Sequence, residues 1–244
     1  MTPRIEEIWV YLAASPLLGL TVTLLAYQGA YQIYRRSNFN PLANPVLIAV
    51  CTLVGVLSIA GIPYQTYFDG AQFVHFLLGP ATVALAIPLY AQWGRVKAMA
   101  GPIAVALVIG SLTAALSAVA IGWLLGASPA TLFSLAPKSV TTPIAMGIAE
   151  RIGGLPSLTA VLVIATGILG AVLARPLFNA MGITDPAYRG FAIGIASHGI
   201  GTARAFQVSE QAGAFAALAM GLNGLVTALL LPALIPSIAA LIGR

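Results

Sequence analysis

The chain of 244 residues is 59% hydrophobic and only 7% charged, with a mean hydropathy of +0.97, whereas a soluble domain carries about a quarter charged residues. Apolar runs of about 20 residues, long enough to cross a bilayer, recur along its whole length and exclude one large soluble core. The formal charge of +5 rests on 11 basic residues that fall mostly between these runs, a pattern that orients a membrane protein and does not resemble a nucleic-acid-binding stripe.

The N-terminus reads as a first membrane helix rather than a cleavable signal. Glu6 and Glu7 precede a run from Trp9 to about Tyr34 that is too long for a signal core, with Thr2 as helix cap and Pro3 at the first helical position. Arg35, Arg36 and a polar loop follow, then an apolar segment from Pro45 to Ile62 that contains the single Cys51. One cysteine allows no disulfide framework and no cysteine metal site, so Cys51 is read as a packing residue. The aromatic stretch 64–70 reads as an interfacial loop.

Phe73 to Trp93 is the next run, closed by Arg95 and Lys97, and Ile103 to Leu125 is a clear span with small residues. A polar stretch, 135–152, interrupts the pattern before the span from Leu158 to Leu177. Phe191 to Phe206 is broken by Ser197-His198-Gly199-Ile200-Gly201-Thr202, and Ala212 to Ile242 gives one span plus a proline-broken piece after Pro232. The expected fold is an all-α polytopic membrane protein of about seven to nine hydrophobic segments with broken or re-entrant helices. It forms a single transmembrane domain, with N-terminal helices in 1–70, candidate repeat units at 71–127 and 128–182, and a broken-helix part at 183–244. The repeat rests on Gly79–Ile87 echoing Ala136–Ile144, and on Gly110 meeting Gly167 at the same offset. Whether the units are parallel or inverted stays open.

If each run crosses once, Arg35, Arg36, Arg95, Lys97 and Arg151 share a cytoplasmic side, and Asp69, the 126–133 loop and Asp185 lie opposite. The segment 128–153 could instead enter and leave from one side.

The polar stretch carries the chemistry. A lysine at the bilayer centre costs roughly 2.5–3.5 kcal/mol on insertion scales, yet Lys138 sits between Pro137 and Pro143 with Ser139, Thr141 and Thr142 around it. Proline disfavours helix at the preceding residue, so Thr142 is expected to cap a short helix starting at Pro143 and ending near Gly153. Its unpaired N–H groups and dipole would join Lys138, Ser139 and Thr141 in holding a carboxylate or phosphate. The alternative is a snorkelling lysine with threonines bonded to their own backbone. Ser197, His198 and Thr202 form a companion break, with a new helix expected near Gly201; His198 either meets substrate or bonds a neighbouring carbonyl. Thr82 completes the candidate binding set through the repeat. Arg204, Asn223 and His75 are secondary candidates, Asn223 reading more as interhelical glue.

Three blocks, Phe76–Leu85, Pro137–Met146 and Ala196–Ala203, resemble the signature segments of the LrgB/CidB family, and the resemblance runs from about Pro45 to the C-terminus. It implies a holin- or antiholin-like role in control of murein hydrolases and cell lysis. It also implies a link to small monocarboxylates, because the family includes the C-terminal half of the plastid glycolate/glycerate translocator and members associated with pyruvate. A small LrgA/CidA-type membrane partner and the bacterial cytoplasmic membrane follow from the same resemblance. From the small residues Gly110, Ala114, Ala115, Gly213, Ala217 and Gly221 a homo-oligomer is expected. Two functions are therefore open: transport of small organic anions such as pyruvate, glycolate or glycerate, or a pore or lysis regulator. No enzyme motif is present, and no cofactor, metal or nucleic-acid partner is expected.

Overall fold

The computed structural model describes residues 16–241, apart from the side chains of Pro16, Pro41, His75, Leu78 and 236–241. Among the described residues regular structure is entirely helical. Four stretches are long and apolar enough to cross a membrane: Tyr64–Ala91, Ala100–Leu124, Pro156–Ala180 and Glu210–Ile235. The chain is an all-α polytopic membrane protein. The Thr2–Pro3 helix start and the two glutamates lie outside the described residues. Two compact units divide the chain, Met1–Ala84 and Leu85–Arg244.

The first unit holds α1 (Pro16–Arg36), a single 3-10 turn (Pro41–Ala43), α2 (Pro45–Ala60), α3 (Tyr64–Phe76) and α4 (Leu78–Ala84). Asn44 caps α2, its Oδ1 accepting from the N–H groups of Val46 and Leu47, and Pro45 supplies the first-turn proline. Gly61 then ends the helix at φ 62, a conformation that glycine adopts without penalty. The 64–70 stretch is the start of α3 and not a loop. Tyr64 stacks on Phe68 at 5.7 Å and Gln65 donates to Asp69 at 2.9 Å, pairs four residues apart that a helix brings together. The Tyr67 hydroxyl meets Thr23 Oγ1 of α1 at 2.7 Å.

The second unit holds α5 (Ala86–Ala91), α6 (Trp93–Ala98), α7 (Ala100–Leu124), α8 (Pro129–Leu135), α9 (Thr142–Ile152), α10 (Pro156–Ala180), α11 (Pro186–Val208) and α12 (Glu210–Leu241). Helices α7 and α10 have 25 residues each, about 37 Å at the helical rise. Helix α12 continues through Pro232 where a break was expected; in membrane helices, neighbouring groups can satisfy the carbonyl that proline frees.

Helices α8 and α9 form a hairpin that does not cross. Its base is closed by Ser134, whose Oγ accepts from Leu155 N at 2.8 Å and whose carbonyl accepts from Thr159 Oγ1 at 3.2 Å. A Cβ on Gly154 would lie 2.9 Å from the Phe133 carbonyl carbon, so the chain leaves the hairpin beside the point where it entered. Gly122, near the end of α7, lies against Leu132 and Leu135. The base therefore sits at the Leu125 end of α7, and segment 128–153 re-enters.

Helix α11 is a second hairpin. His198 reverses the chain with φ 40 and ψ −134. A Cβ on Gly201 would fall 2.9 Å from the Ile193 carbonyl oxygen, a contact that eight residues of straight helix, about 12 Å of rise, cannot make. Arms 186–197 and 199–208 lie back to back, with Ile193, Ala205, Ala212 and Ala216 in one buried cluster. The restart directly after His198, rather than at Gly201, corrects the sequence expectation.

The second hairpin opens toward the opposite end. Arg95 forms an ion pair with Asp185 at 2.5 Å, Arg189 donates to Asn179 and to the Ile183 carbonyl, and Gln211 donates to Gln92. Asp185 thus shares an end with Arg95, and Arg151, near the base of the first hairpin, lies at the other. Both placements reverse the single-crossing expectation, because segment 128–153 turns back. The Arg95 end collects Arg95, Lys97, Arg189 and Arg204, against Arg151 at the other, so this end is expected to face the cytoplasm.

Two tests follow from this arrangement. In a Cys51→Ala background, single cysteines at Lys97 and Tyr188 should react with an impermeant thiol reagent from one face and a cysteine at Leu125 from the other; a Tyr188 cysteine that labels with Leu125 contradicts the second hairpin. Burial raises the Asp185 pKa, but the Ala187 N–H and the Arg95 guanidinium outweigh it and hold the carboxyl below its ordinary value. A depressed pKa contributes stability above about pH 4 that is lost as pH falls. Asp185→Asn keeps the cap on α11 and removes the charge, so it should cost up to about 1 kcal/mol at pH 7, given the partial exposure of the pair. The difference between the two proteins in thermal unfolding should shrink as pH falls below about 4.

Candidate functional site

The two hairpin tips meet halfway along the spans. In the first, Pro137 to Thr141 form the turn between α8 and α9, where Lys138 N donates to Leu135 O and Val140 N to Pro137 O. Thr141, with extended backbone, precedes α9, and Thr142 is its first residue. The helix thus begins one residue earlier than expected, with Pro143 still inside the first turn, where its missing N–H has no intrahelical partner to lose. Thr141 makes no side-chain cap bond, and both threonines are half-buried. Lys138 is half-buried, its Nζ donating to Ser139 Oγ at 3.3 Å.

The second tip is drier. His198 is 4% exposed, and its Nε2 lies 2.9 Å from Val163 O of α10. A carbonyl only accepts, so Nε2 carries the hydrogen in this bond. Gly167 leaves room for the ring, since a Cβ there would sit 2.8 Å from both Cε1 and Nε2. A non-glycine residue at this φ costs about 1–3 kcal/mol; the imidazole's anchorage to α10 accounts for a histidine here although Gly199 is adjacent. Thr202 Oγ1 donates to the His198 carbonyl at 2.8 Å. Ser197 is fully buried, and its Oγ has no hydrogen-bond partner; it fills the space that Gly170 leaves open on α10.

Asn223 of α12 joins the two tips. Its Nδ2 donates to Ser139 O at 3.2 Å and to Ile195 O at 3.1 Å. Its Oδ1 accepts from Ser111 Oγ of α7 at 2.6 Å and from Thr227 Oγ1 at 3.3 Å. A primary amide offers two donors and two lone pairs, and all are used in a residue 1% exposed. Asn223 is glue, as its sequence context suggested, but glue for both breaks at once. Ser111 escaped the sequence reading; the only signal was a hydroxyl in an apolar span.

Lys138, Ser139, Thr141 and Thr142 share the first tip, and Ser197, His198 and Thr202 the second. Arg204 lies on the returning arm, donating to Gln207 at 3.1 Å near the Arg95 end. Thr82 is an exposed residue of α4 in the first unit. His75 lies on α3, its side chain outside the described residues. Four of the six small residues expected at an oligomer interface are used inside the chain: Gly110 against Ile195, Gly213 against Phe206, and Ala115 and Ala217 in buried positions.

Spans enclosing two re-entrant hairpins, with a lysine and hydroxyls at their tips, define a polytopic membrane protein with a polar site at the midplane. The LrgB-like family model matches residues 23–237; the chain belongs to this family. A protein of Bacillus subtilis (strain 168), the uncharacterized YwbG, is 37% identical over 211 residues, 86% of this chain and 93% of its own length. Antiholin-like protein LrgB of Bacillus cereus (strain B4264) is 30% identical over 224 residues, covering 92% and 97%. The protein of the same name from Bacillus anthracis (strain CDC 684 / NRRL 3495) matches equally. No solved structure matches.

The Ser197–Gly170 contact is open to a double-mutant test. A Cβ on Gly170 would lie well inside contact distance of Ser197 Oγ, so Gly170→Ala should destabilise the folded protein by about 1–3 kcal/mol through overpacking. Ser197→Ala, which removes a hydroxyl without a partner, should be neutral or slightly stabilising, and should recover part of the Gly170→Ala loss. Purely additive effects in thermal unfolding would show that the two residues do not touch.

Proposed function

We propose that the chain acts as an antiholin-like membrane protein that restrains holin-type pores and, through them, murein hydrolase export and cell lysis. The observation carrying this reading is the match over 92% of the chain to relatives named antiholin-like protein LrgB. The bacterial cytoplasmic membrane, a small LrgA/CidA-type partner and a homo-oligomer belong to the same proposal, with Ala114 and Gly221 the small residues of the original set left outside the buried contacts.

A second reading, passage of small organic anions such as pyruvate, glycolate or glycerate, is favoured by one observation: Lys138 at a midplane helix break. The N-terminal turn of α9 presents N–H groups and the positive end of its dipole beside the ammonium, Ser139 and Thr141, the arrangement that suits a carboxylate. A restrained pore and a carried anion are compatible, since uptake of a metabolite can report the state that triggers lysis.

Producing the chain in cells that carry a holin-like pore should delay their lysis, and vesicles holding only this chain should take up labelled pyruvate or glycolate saturably. Lys138→Met removes the charge and keeps the stem. It should lower apparent affinity for the anion about ten- to hundredfold, the equivalent of a charge-assisted bond of roughly 1.5–3 kcal/mol. Unaltered lysis timing rejects the antiholin-like reading. Unchanged affinity in Lys138→Met reduces the lysine to an interfacial anchor.

A further inference from the structure

The span–hairpin pairs α7–(α8, α9) and α10–α11 are two copies of one unit in opposite orientation. Both spans have 25 residues, and both end in the same turn. Gly126 and Gly182, 56 residues apart, have φ 77 and φ 68. Ala127 N donates to Gly122 O as Ile183 N donates to Phe178 O, each at 2.9 Å. Each hairpin then opens with a capping side chain and a first-turn proline, Ser128-Pro129 and Asp185-Pro186. Because α7 runs from the Arg95 end and α10 runs toward it, the copies are related by a pseudo-two-fold axis in the membrane plane. This repeat, 100–152 with 156–208, has a different phase from the 71–127 and 128–182 division.

The two carbonyls that Asn223 holds come from the two hairpins, Ser139 O from the first and Ile195 O from the second. One amide therefore bonds both hairpins at once. Two half-length hairpins entering from opposite faces and meeting at one latch seal the midplane from both sides. Neither arm set, at about 10–18 Å by the helical rise, could seal a 30 Å core alone.

We infer that the hairpin tips bound a single midplane site that is reached alternately from the two membrane faces, with Asn223 as the shared latch. The ligand class, a small organic anion, rests on the second reading above; the two-sided access does not. Inverted copies make the second state available without new contacts. Whichever tip is released from the latch opens the site to its own face, while the other stays bonded and closed. Asn223 is a positioning residue in this scheme, acting through the tip carbonyls.

The test uses the full chain in native membranes, with Cys51→Ala and one reporter cysteine, Thr141→Cys on the first tip or Ala196→Cys on the second. Neither position carries a bond that holds the fold: Thr141 makes no cap bond and Ala196 is exposed. An impermeant thiol reagent, applied to right-side-out and then to inverted vesicles, should label both reporters from both faces, while the membrane stays tight to a trapped dye. Asn223→Asp keeps the shape and the Ser111 bond but turns the donors toward both carbonyls into acceptors. It should speed labelling of both reporters by about tenfold, the effect of losing roughly one to two buried hydrogen bonds. Reporters labelled from one face only, or from neither, overturn the inference, as does dye leakage accompanying two-sided labelling, which marks a pore. If Asn223→Asp loses the fold, Ser111→Ala, which weakens the latch by one acceptor-side bond, should shift both rates in the same direction, and unchanged rates there count against the latch. Pyruvate uptake measured on the Ala196→Cys vesicles, where Thr141 is intact, separates the claims. Uptake without two-sided labelling removes the alternating site, and two-sided labelling without uptake supports it while removing pyruvate as the cargo.

Discussion

A helix that stops inside a bilayer leaves backbone carbonyls and N–H groups with no water to bond, and everything in the second unit is arranged around two such stops. Asn223 meets that constraint with a single side chain. It satisfies one carbonyl from each broken element and takes hydroxyl bonds from α7 and from its own helix. Hydrogen bonds between membrane helices contribute modestly when both partners can find others, about 0.6 kcal/mol on average. Asn223 matters more than that figure suggests because its loss would strand four buried groups together, and unsatisfied groups are where polar networks become expensive.

Close helix contact makes the arrangement geometrically feasible. Gly190 and Gly194 of α11 lie directly on the backbone of Ala212 and Ala216 of α12, so the first arm of the second hairpin and the last span approach without intervening side chains. Small residues at such crossings are the membrane counterpart of core packing. On the other side of the unit, Leu132, Val140, Ala145 and Ile148 of the first hairpin pack with Val163 and Leu231 in one apolar cluster. The hairpins are thus held by apolar packing along their arms and by polar bonds only at their tips and bases. That division leaves the tips as the natural place for chemistry.

The sequence showed the breaks clearly, because proline, glycine and hydroxyl residues within an oily chain have few other uses. Pro137 to Pro143 and Ser197 to Gly201 were both legible as interruptions, and the spans at α7 and α10 were placed to within a few residues. Direction was not legible. Crossing and re-entry use the same residues, and contacts between segments distant in sequence, such as Asp185 with Arg95 and Ser134 with Leu155, distinguish them. Positive-charge counting therefore misplaced Arg151 and Asp185 relative to Arg95. Stretch 64–70 was misread as a loop because its aromatic residues suit an interface, whereas their spacing of three and four suits a helix. Ser111 was invisible, since its role exists only through a partner 112 residues away.

The shortness of the hairpin arms also dictates an order of assembly. Arms of seven to twelve residues are too short to be released into the bilayer as independent membrane segments, so each must enter against helices already in place. The first hairpin's base is tied to α10, which follows it in the chain, and both tips depend on Asn223, which follows them all. Until α12 has been synthesised and inserted, the carbonyls of Ser139 and Ile195 lack their partner. The protein therefore completes its interior from its C-terminal end backwards, and a chain cut short before α12 would expose two polar tips to lipid rather than merely lack one helix.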